Sequence, residues 1–142
     1  MRPRSARQFL LLFIIVILTA PACSDNNNTT TTPTPTTPPP TTDTFSGTLS
    51  RNGAFTHQFV VVAAGSITAT LTTVAPDSTT AIGFSLGTWN GSACQIVLAN
   101  DKAAQGASIL GTASGAGNYC ARVYDVGNVV GTVSYEIQIV HP

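Results

Sequence analysis

Charged side chains are scarce in this sequence of 142 residues, in which Asp, Glu, Lys and Arg together make up 8%. Three of the six basic residues fall within the first seven positions, so the rest of the chain carries three basic residues against six acidic ones. A chain of this kind has no basic patch that neutralises phosphates, and we therefore expect no nucleic-acid partner.

Long apolar runs are few as well, and no stretch of residues 45–142 keeps helical periodicity for three turns. The run Phe9–Leu18 (FLLLFIIVIL) is shorter than the roughly 20 residues of a membrane-spanning helix. It follows an arginine-rich start and precedes small residues that end at Ala22, which is the three-part pattern of a signal peptide. We predict that residues 1–22 direct export and are cleaved off before Cys23.

Cys23 is the candidate point of attachment to a membrane. Ala22 and Cys23 resemble the end of a bacterial lipoprotein signal, in which the cysteine after the cut becomes lipidated. Residues 20–22 also satisfy an ordinary signal-peptidase site, which would leave Cys23 unmodified. The polar segment that follows favours lipidation, because a tethered domain needs a spacer. We predict a lipid anchor on Cys23 and a location in the cell envelope, at the outer membrane or cell surface. In a Gram-negative host, Ser24 beside the cysteine resembles the outer-membrane sorting pattern.

Apolar side chains are almost missing between residues 24 and 44. Three consecutive asparagines are followed there by a tract made mainly of threonine and proline. Such a segment cannot bury enough apolar surface to offset the entropy of folding. Its prolines favour extended, polyproline-like stretches. We therefore predict that residues 23–44 are a lipidated cysteine and a disordered stalk that holds a folded domain away from the membrane.

Apolar and polar residues alternate repeatedly within residues 45–142, as they do in half-buried β-strands. The clearest runs are Ile67–Thr73, Ile82–Leu86 and Val133–Ile139. Turn residues separate the runs, and two pairs, Asn52-Gly53 and Asn90-Gly91, are typical of tight hairpins. The spacing of about ten residues per strand indicates an all-β fold, a single β-sandwich of seven or eight antiparallel strands.

Two segments near the end of the chain carry a recognisable pattern, residues 117–124 (GNYCARVY) and residues 135–139 (YEIQI). They resemble the Gly-x-Tyr-x-x-Arg-Val strand and the final tyrosine-containing strand of the family of bacterial pre-peptidase C-terminal domains. Residues 45–49 (FSGTL) agree with its start, and the resemblance covers most of residues 45–140. It implies a jelly-roll-like sandwich, which in that family serves secreted enzymes as an accessory or substrate-binding module, in some members with calcium.

The sequence departs from the family where calcium would bind. Residues 82–86 (IGFSL) contain no carboxylate, whereas the family usually carries an Asp-x-Asp-like pattern there. We therefore predict no cofactor and no metal. If the loops do bind calcium, the first candidates are Asn100, Asp101 and Asp125, which we expect in turns. Asp and Asn are also ordinary turn formers, and that is the alternative interpretation.

Cys94 and Cys120 remain as an even pair in an oxidising compartment once Cys23 serves as the anchor. We predict that they form a disulfide. It would close a loop of about 26 residues and stabilise the fold by about 3 kcal/mol in the chain-entropy model. The alternatives are two buried thiols or a metal pair that lacks its other ligands.

Side chains suited to catalysis do not form a recognisable set. His57 shares a strand face with Phe55 and Phe59 and has no carboxylate near it in sequence, so we expect it to be structural. Trp89 borders a predicted turn and is the candidate contact residue for a ligand, with burial in the core as the alternative. We predict that the protein is not an enzyme.

Three functions follow from these observations. The leading hypothesis is a non-catalytic lipoprotein of the cell envelope whose sandwich binds an extracellular polysaccharide or another envelope protein. A purely structural envelope protein without a specific ligand is the alternative. An enzyme with an unrecognised site is the third.

Overall fold

The computed structural model describes residues 38–142, which form eight strands and contain no helix that could cross a membrane. The predicted signal peptide, Cys23 and most of the predicted stalk lie outside the described residues. In chain order the strands are β1 (Thr41–Ser50), β2 (Ala54–Val61), β3 (Gly65–Ala75), β4 (Ile82–Trp89), β5 (Cys94–Ala103), β6 (Ser108–Ala113), β7 (Gly117–Tyr124) and β8 (Thr132–His141).

The strands pair as a ribbon folded back on itself. β1 pairs with β8, β2 with β7, β3 with β6 and β4 with β5, and every pair is antiparallel. The pairs β3–β8 and β4–β7 then complete two four-stranded sheets, in the orders β1-β8-β3-β6 and β2-β7-β4-β5. This is a jelly-roll sandwich. The predicted all-β sandwich of antiparallel strands is confirmed.

The apolar residues of the alternating runs fill the space between the two sheets. In β8 every second residue is buried, as the sequence pattern predicts. Each large side chain buried in this way contributes about 1.5–3 kcal/mol of transfer free energy. The largest fully buried side chains are Tyr135, Phe84, Leu49, Ile67, Leu71, Ile82, Ile137 and Ile139. All strands and the described core lie within residues 41–141, so this segment has the parts of an independent folding unit.

The end of β3 departs from the predicted alternation. Ile67, Ala69 and Leu71 are buried as expected, but Val74 rather than Thr73 faces the core. The register of β3 against β8 shifts between Leu71 and Thr73. A β-bulge of this kind inserts an extra residue and thereby reverses which side chains point inward.

Only one of the two predicted hairpin turns joins paired strands. Asn90-Gly91 connects β4 with β5, its pairing partner, and Gly91 has a φ of 98°. Asn52-Gly53 also reverses the chain, with Asn52 at a φ of 56°. The strands on either side of it, β1 and β2, belong to different sheets, so the hairpin prediction is wrong there. Turn chemistry is local, whereas the sheet that a strand joins depends on distant partners.

β1 begins four residues before the predicted domain boundary at Phe45. The composition of residues 41–44 predicts stalk, but these residues pair with residues 138–141 of β8. None of the four is apolar, so the alternation of side chains could not identify them. Ladder hydrogen bonds use backbone groups only, and a polar sequence can therefore complete an edge strand. The folded domain begins at Thr41 rather than at Phe45.

Candidate functional site

Cys94 and Cys120 lie at disulfide distance, with their Cα atoms 5.8 Å apart, as the sequence predicts. Cys120 belongs to β7 and Cys94 begins β5, although β4 lies between these strands in the sheet. The start of β5 crosses β4 at Gly87, where a Cβ atom would overlap the backbone of Gln95 and Ile96. A glycine at this position is therefore what lets the two cysteines meet.

Trp89, the candidate ligand contact, is half-buried at the end of β4 and lies opposite Cys94 in the ladder. The turn that follows is held by the Asn90 side chain. Its Oδ1 atom accepts hydrogen bonds from the amides of Ser92, at 3.0 Å, and Ala93, at 2.8 Å. The turn and the nearby disulfide fix the strand end on which the indole stands.

Asn100 and Asp101 lie within β5 and not in a turn, which corrects the prediction. The register of β5 against β4 shifts between Ala103 and Asn100, and a bulge of this kind accommodates turn-forming residues inside a strand. Asn100 Oδ1 accepts a hydrogen bond of 3.0 Å from the amide of Lys102. Asp101 accepts one from the Tyr124 hydroxyl. Burial and then this hydrogen bond raise the pKa of Tyr124 to about 12.

Asp125 lies in a loop, as predicted, and its carboxylate holds that loop closed. Oδ1 accepts hydrogen bonds from the amides of Gly127, Asn128 and Val129 at 2.8–3.1 Å. Oδ2 accepts a hydrogen bond of 2.8 Å from the amide of Asn52. This hydrogen bond contributes most to lowering the pKa of Asp125. Its oxygens thus bond backbone amides. Within residues 38–142, no three His, Cys, Asp or Glu side chains are grouped so that they could hold a metal ion.

His57 occupies the slot between the edge strands β1 and β2. Its ring stacks on Phe45 with the centroids 5.0 Å apart, and its Nε2 atom lies 2.8 Å from the Tyr135 hydroxyl, with which it shares a hydrogen bond. Burial lowers the pKa of His57. Gly47 makes room for this arrangement, since a Cβ there would lie 2.6 Å from the Tyr135 hydroxyl oxygen. The hydrogen-bond partner of His57 is thus a phenol and not the carboxylate that would orient a catalytic base.

A second histidine, His141, pairs with the carboxylate of Asp43 where the first and last strands meet. His141 Nε2 is 3.1 Å from Asp43 Oδ2, and His141 Nδ1 donates to the carbonyl oxygen of Pro142 at 3.0 Å. The side chain of His141 is only 3% exposed, and its ring lies 5.2 Å from that of Phe59. No local signal in the sequence identifies this pair. The two residues are 98 positions apart, and Asp43 falls in the polar tract interpreted as stalk.

The side of the sandwich formed by β5 and β6 exposes large apolar side chains. Ile96, Val97 and Leu98 are consecutive in β5, and Leu110 is 72% exposed in β6. Between these edges lies a cleft of about 70 Å³. This surface was not among the predicted sites, although the sequence contains one signal for it. Three consecutive apolar residues in an antiparallel strand must place at least one side chain on the outer face.

No family model matches the sequence, and no curated protein matches it. The resemblance to pre-peptidase C-terminal domains therefore rests on the motifs described above. The jelly-roll architecture itself follows from the strand order and does not depend on that resemblance.

Proposed function

We propose that this protein is a non-catalytic, lipid-anchored protein of the bacterial cell envelope, whose jelly roll binds an extracellular polysaccharide or another envelope protein. One observation carries the proposal: the three titratable candidates for chemistry among the described residues, Asp101, Asp125 and His57, are tied into contacts that hold the fold. Asp101 receives the hydrogen bond of Tyr124, Asp125 closes a loop, and His57 is paired with Tyr135. Groups engaged in this way are poorly placed to act on a substrate, while the surface of the sandwich stays available for binding.

The sequence motifs support display outside the cell. The signal peptide, Cys23 and the polar segment after it are the parts of a tethered envelope protein. Residues 117–124 and 135–139 resemble a family of accessory modules of secreted enzymes, and those modules bind rather than catalyse. The proposal combines these features into one protein, an accessory-type module that stands on its own anchor.

Trp89 is the side chain on which we place the contact with a polysaccharide. An indole presents a large apolar face that stacks on a sugar ring, and its N–H group donates a hydrogen bond. Trp89 is half-buried at the end of β4, next to the turn that Asn90 closes and opposite the disulfide-bonded Cys94. A side chain supported in this way loses little conformational entropy on binding.

The test compares binding of residues 24–142 and of the Trp89→Ala variant to a glycan array and to purified envelope polysaccharides. We expect the variant to bind at least about tenfold more weakly, which corresponds to about 1.4 kcal/mol. The matched control is Phe55→Ala, which removes an aromatic side chain that is 46% exposed on β2, at the opposite side of the sandwich. This control variant is expected to bind like the wild type.

Two outcomes would count against the proposal. If neither polysaccharides nor proteins from an envelope fraction bind residues 24–142, the binding function is wrong and a purely structural envelope role stands in its place. If a polysaccharide binds equally well to the Trp89→Ala variant, the contact surface lies elsewhere on the sandwich.

A further inference from the structure

The edge strands β5 and β6 form one continuous apolar border, which we call the β5–β6 edge. β5 is the last strand of one sheet and β6 the last strand of the other, and the two lie in contact. Four of its side chains are exposed although they are large and apolar: Ile96 by 44%, Val97 by 70%, Leu98 by 37% and Leu110 by 72%.

The apolar part of this edge, residues 94–100 and 108–113, lacks the charged residues and prolines that usually protect edge strands. Soluble proteins place lysines or prolines on exposed edges to prevent association. β5 does contain a bulge, but this bulge increases the exposed apolar surface of the edge. The register shift between Leu98 and Ile96 leaves Val97 outside the ladder with β4, and its side chain projects outward.

A cleft and a protruding side chain lie next to each other on this edge. The cleft of about 70 Å³ opens between the sheets and is lined by Ile67, Leu86 and Leu98, among others. Gly111 also lines the cleft, and a Cβ at this position would lie 2.7 Å from Leu86 Cδ2, so the glycine makes room for the leucine that forms the cleft wall. The volume exceeds several times what one water molecule needs, so a branched aliphatic side chain fits. Leu110 projects from the outer face of β6 immediately beside it.

We infer that the β5–β6 edge is the contact surface between two copies of this chain. A protruding leucine beside an apolar cleft is self-complementary under two-fold symmetry, because each copy offers both parts to the other. The four exposed side chains present roughly 400 Å² of apolar surface, the size of the largest patch on a typical monomer. A standard interface takes about 800 Å² from each partner, somewhat more than half of it apolar. The patch therefore supplies most of the apolar part that a stable dimer needs.

The charges near this edge select the orientation of the two copies. Asp101 and Lys102 are the charged residues of β5, and both lie near its C-terminal end. If the two β5 strands ran parallel, these residues would lie beside their own copies, and like charges would repel. In the antiparallel arrangement each charged end lies beside the neutral start of the other strand, near Cys94 and Gln95. We therefore assign an antiparallel, two-fold contact.

Sedimentation velocity on residues 24–142, over concentrations from about 1 µM to 1 mM, tests the inference. We expect a monomer–dimer equilibrium with a dissociation constant of roughly 1–100 µM, typical of a modest apolar interface. Val97→Lys and Leu110→Lys should each weaken it at least about tenfold, because each places a charge in the apolar contact. The matched control is Val130→Lys, since Val130 is 96% exposed in the loop before β8. This control should dimerise like the wild type.

A second measurement locates the contact independently of the substitutions. Dilution of the wild-type protein should shift the amide NMR signals of residues 95–98 and 109–112 and leave those of β2 unchanged. Thermal melting of each variant establishes that loss of the dimer does not reflect unfolding. A wild-type protein that stays monomeric at about 1 mM would overturn the inference. So would dilution shifts confined to β1 and β2, or equal weakening by Val97→Lys and Val130→Lys.

Discussion

At the scale of single residues, one glycine decides which side chain covers the outer face of β4. The ring of Tyr124 reaches from β7 across Gly83 to Asp101 on β5, and a Cβ at Gly83 would overlap that ring. The guanidinium carbon of Arg122 lies 5.6 Å from the same ring centroid. This cover explains why Gly83 and Ser85 are buried together with the core-facing residues of β4.

Gly83→Ala should destabilise the domain by about 1–3 kcal/mol, because the added methyl group must displace Tyr124 or shift the strand. Urea unfolding of both proteins measures the difference. Gly115→Ala is the matched control, since a Cβ at Gly115 meets nothing within 4 Å. Equal unfolding midpoints for the two variants would contradict the role assigned to Gly83.

His57 should make the stability depend on pH. Burial lowers its pKa from the ordinary 6.5, so the unfolded chain binds a proton more readily than the folded one. The stabilising effect of neutral His57 is therefore complete above about pH 6.5 and is lost as the pH falls towards the folded-state pKa. We expect the urea midpoint of the wild type to drop between about pH 7 and pH 5.5 by more than that of His57→Gln. Parallel pH profiles of the two proteins would refute this.

At the scale of elements, β1 is held along its whole length by β8. The pairing runs from Thr41 with His141 to Ser50 with Thr132. At its beginning, the contact of Asp43 with the buried His141 adds a side-chain interaction to the backbone ladder. The polar start of β1 is therefore part of the sandwich.

Shortening the chain from its N-terminus should have no effect up to residue 38 and a large effect beyond it. A chain that starts at residue 38 keeps every described strand and should have the same melting temperature as the chain that starts at residue 24. A chain that starts at Phe45 loses four ladder pairs and leaves His141 without Asp43. At about 0.5–1.5 kcal/mol for each hydrogen bond, we expect a loss of roughly 2 kcal/mol or more. That corresponds to a melting temperature about 10 °C lower.

Calorimetry on the three chains measures these differences, and Asp43→Asn in the longest chain separates the side-chain contact from the ladder. If the chain that starts at Phe45 has the same melting temperature as the other two, residues 41–44 do not stabilise the sandwich, and the contribution expected from the start of β1 is wrong.

The disulfide joins the start of β5 to β7 across the intervening strand. Replacing both Cys94 and Cys120 with Ser should lower the free energy of unfolding by about 3 kcal/mol. The two cysteines are 26 positions apart, and without the disulfide the unfolded chain regains the conformational entropy of the loop between them. The pairing of β4 with β7 is independent of the cysteines, so the variant should keep its β-sheet circular dichroism spectrum. Peptide mapping without reductant should find the two cysteines joined. An unchanged urea midpoint after reduction of the wild type would count against the assigned contribution.

At the scale of the whole molecule, the sandwich has two sides with different properties. The side formed by β1 and β2 receives the N-terminal segment at Thr41 and contains the His57 cluster. The opposite side is the β5–β6 edge, which carries the exposed apolar residues. The point at which the chain enters the domain is thus on the other side from the proposed contact between copies, and the two do not compete for surface.

If the proposed anchoring is right, Cys23→Ser should leave export intact and release the protein from the membrane, because the proposed leader is retained while the proposed lipid acceptor is removed. Fractionation with metabolic labelling by a fatty-acid analogue measures both effects. Ser24→Ala provides a neighbouring substitution that keeps the acceptor cysteine. Wild-type protein that takes up no label would show that Cys23 simply follows an ordinary signal-peptidase site.

The sequence by itself determined the class of fold and much of its core. Alternation along residues 133–139 predicts the buried face of β8, and residues 82–86 predict the inward face of β4, because side chains of a strand point in turn to its two faces. The Asn90-Gly91 turn and the pairing of Cys94 with Cys120 were likewise predictable, since turn chemistry is local and only these two cysteines remain when Cys23 is assigned to the predicted anchor.

Only the tertiary structure decided how these pieces meet. The start of β1 has no apolar pattern and joins the sandwich through backbone bonds to residues about 100 positions later in the chain. Asp43 contacts His141 because the jelly-roll order places β1 beside β8. Tyr124 contacts Asp101 because its ring passes over Gly83 on the strand between them. The apolar residues 96–98 become an exposed edge because no described strand pairs beyond β5. Each of these outcomes depends on long-range register, which alternation within one strand does not encode.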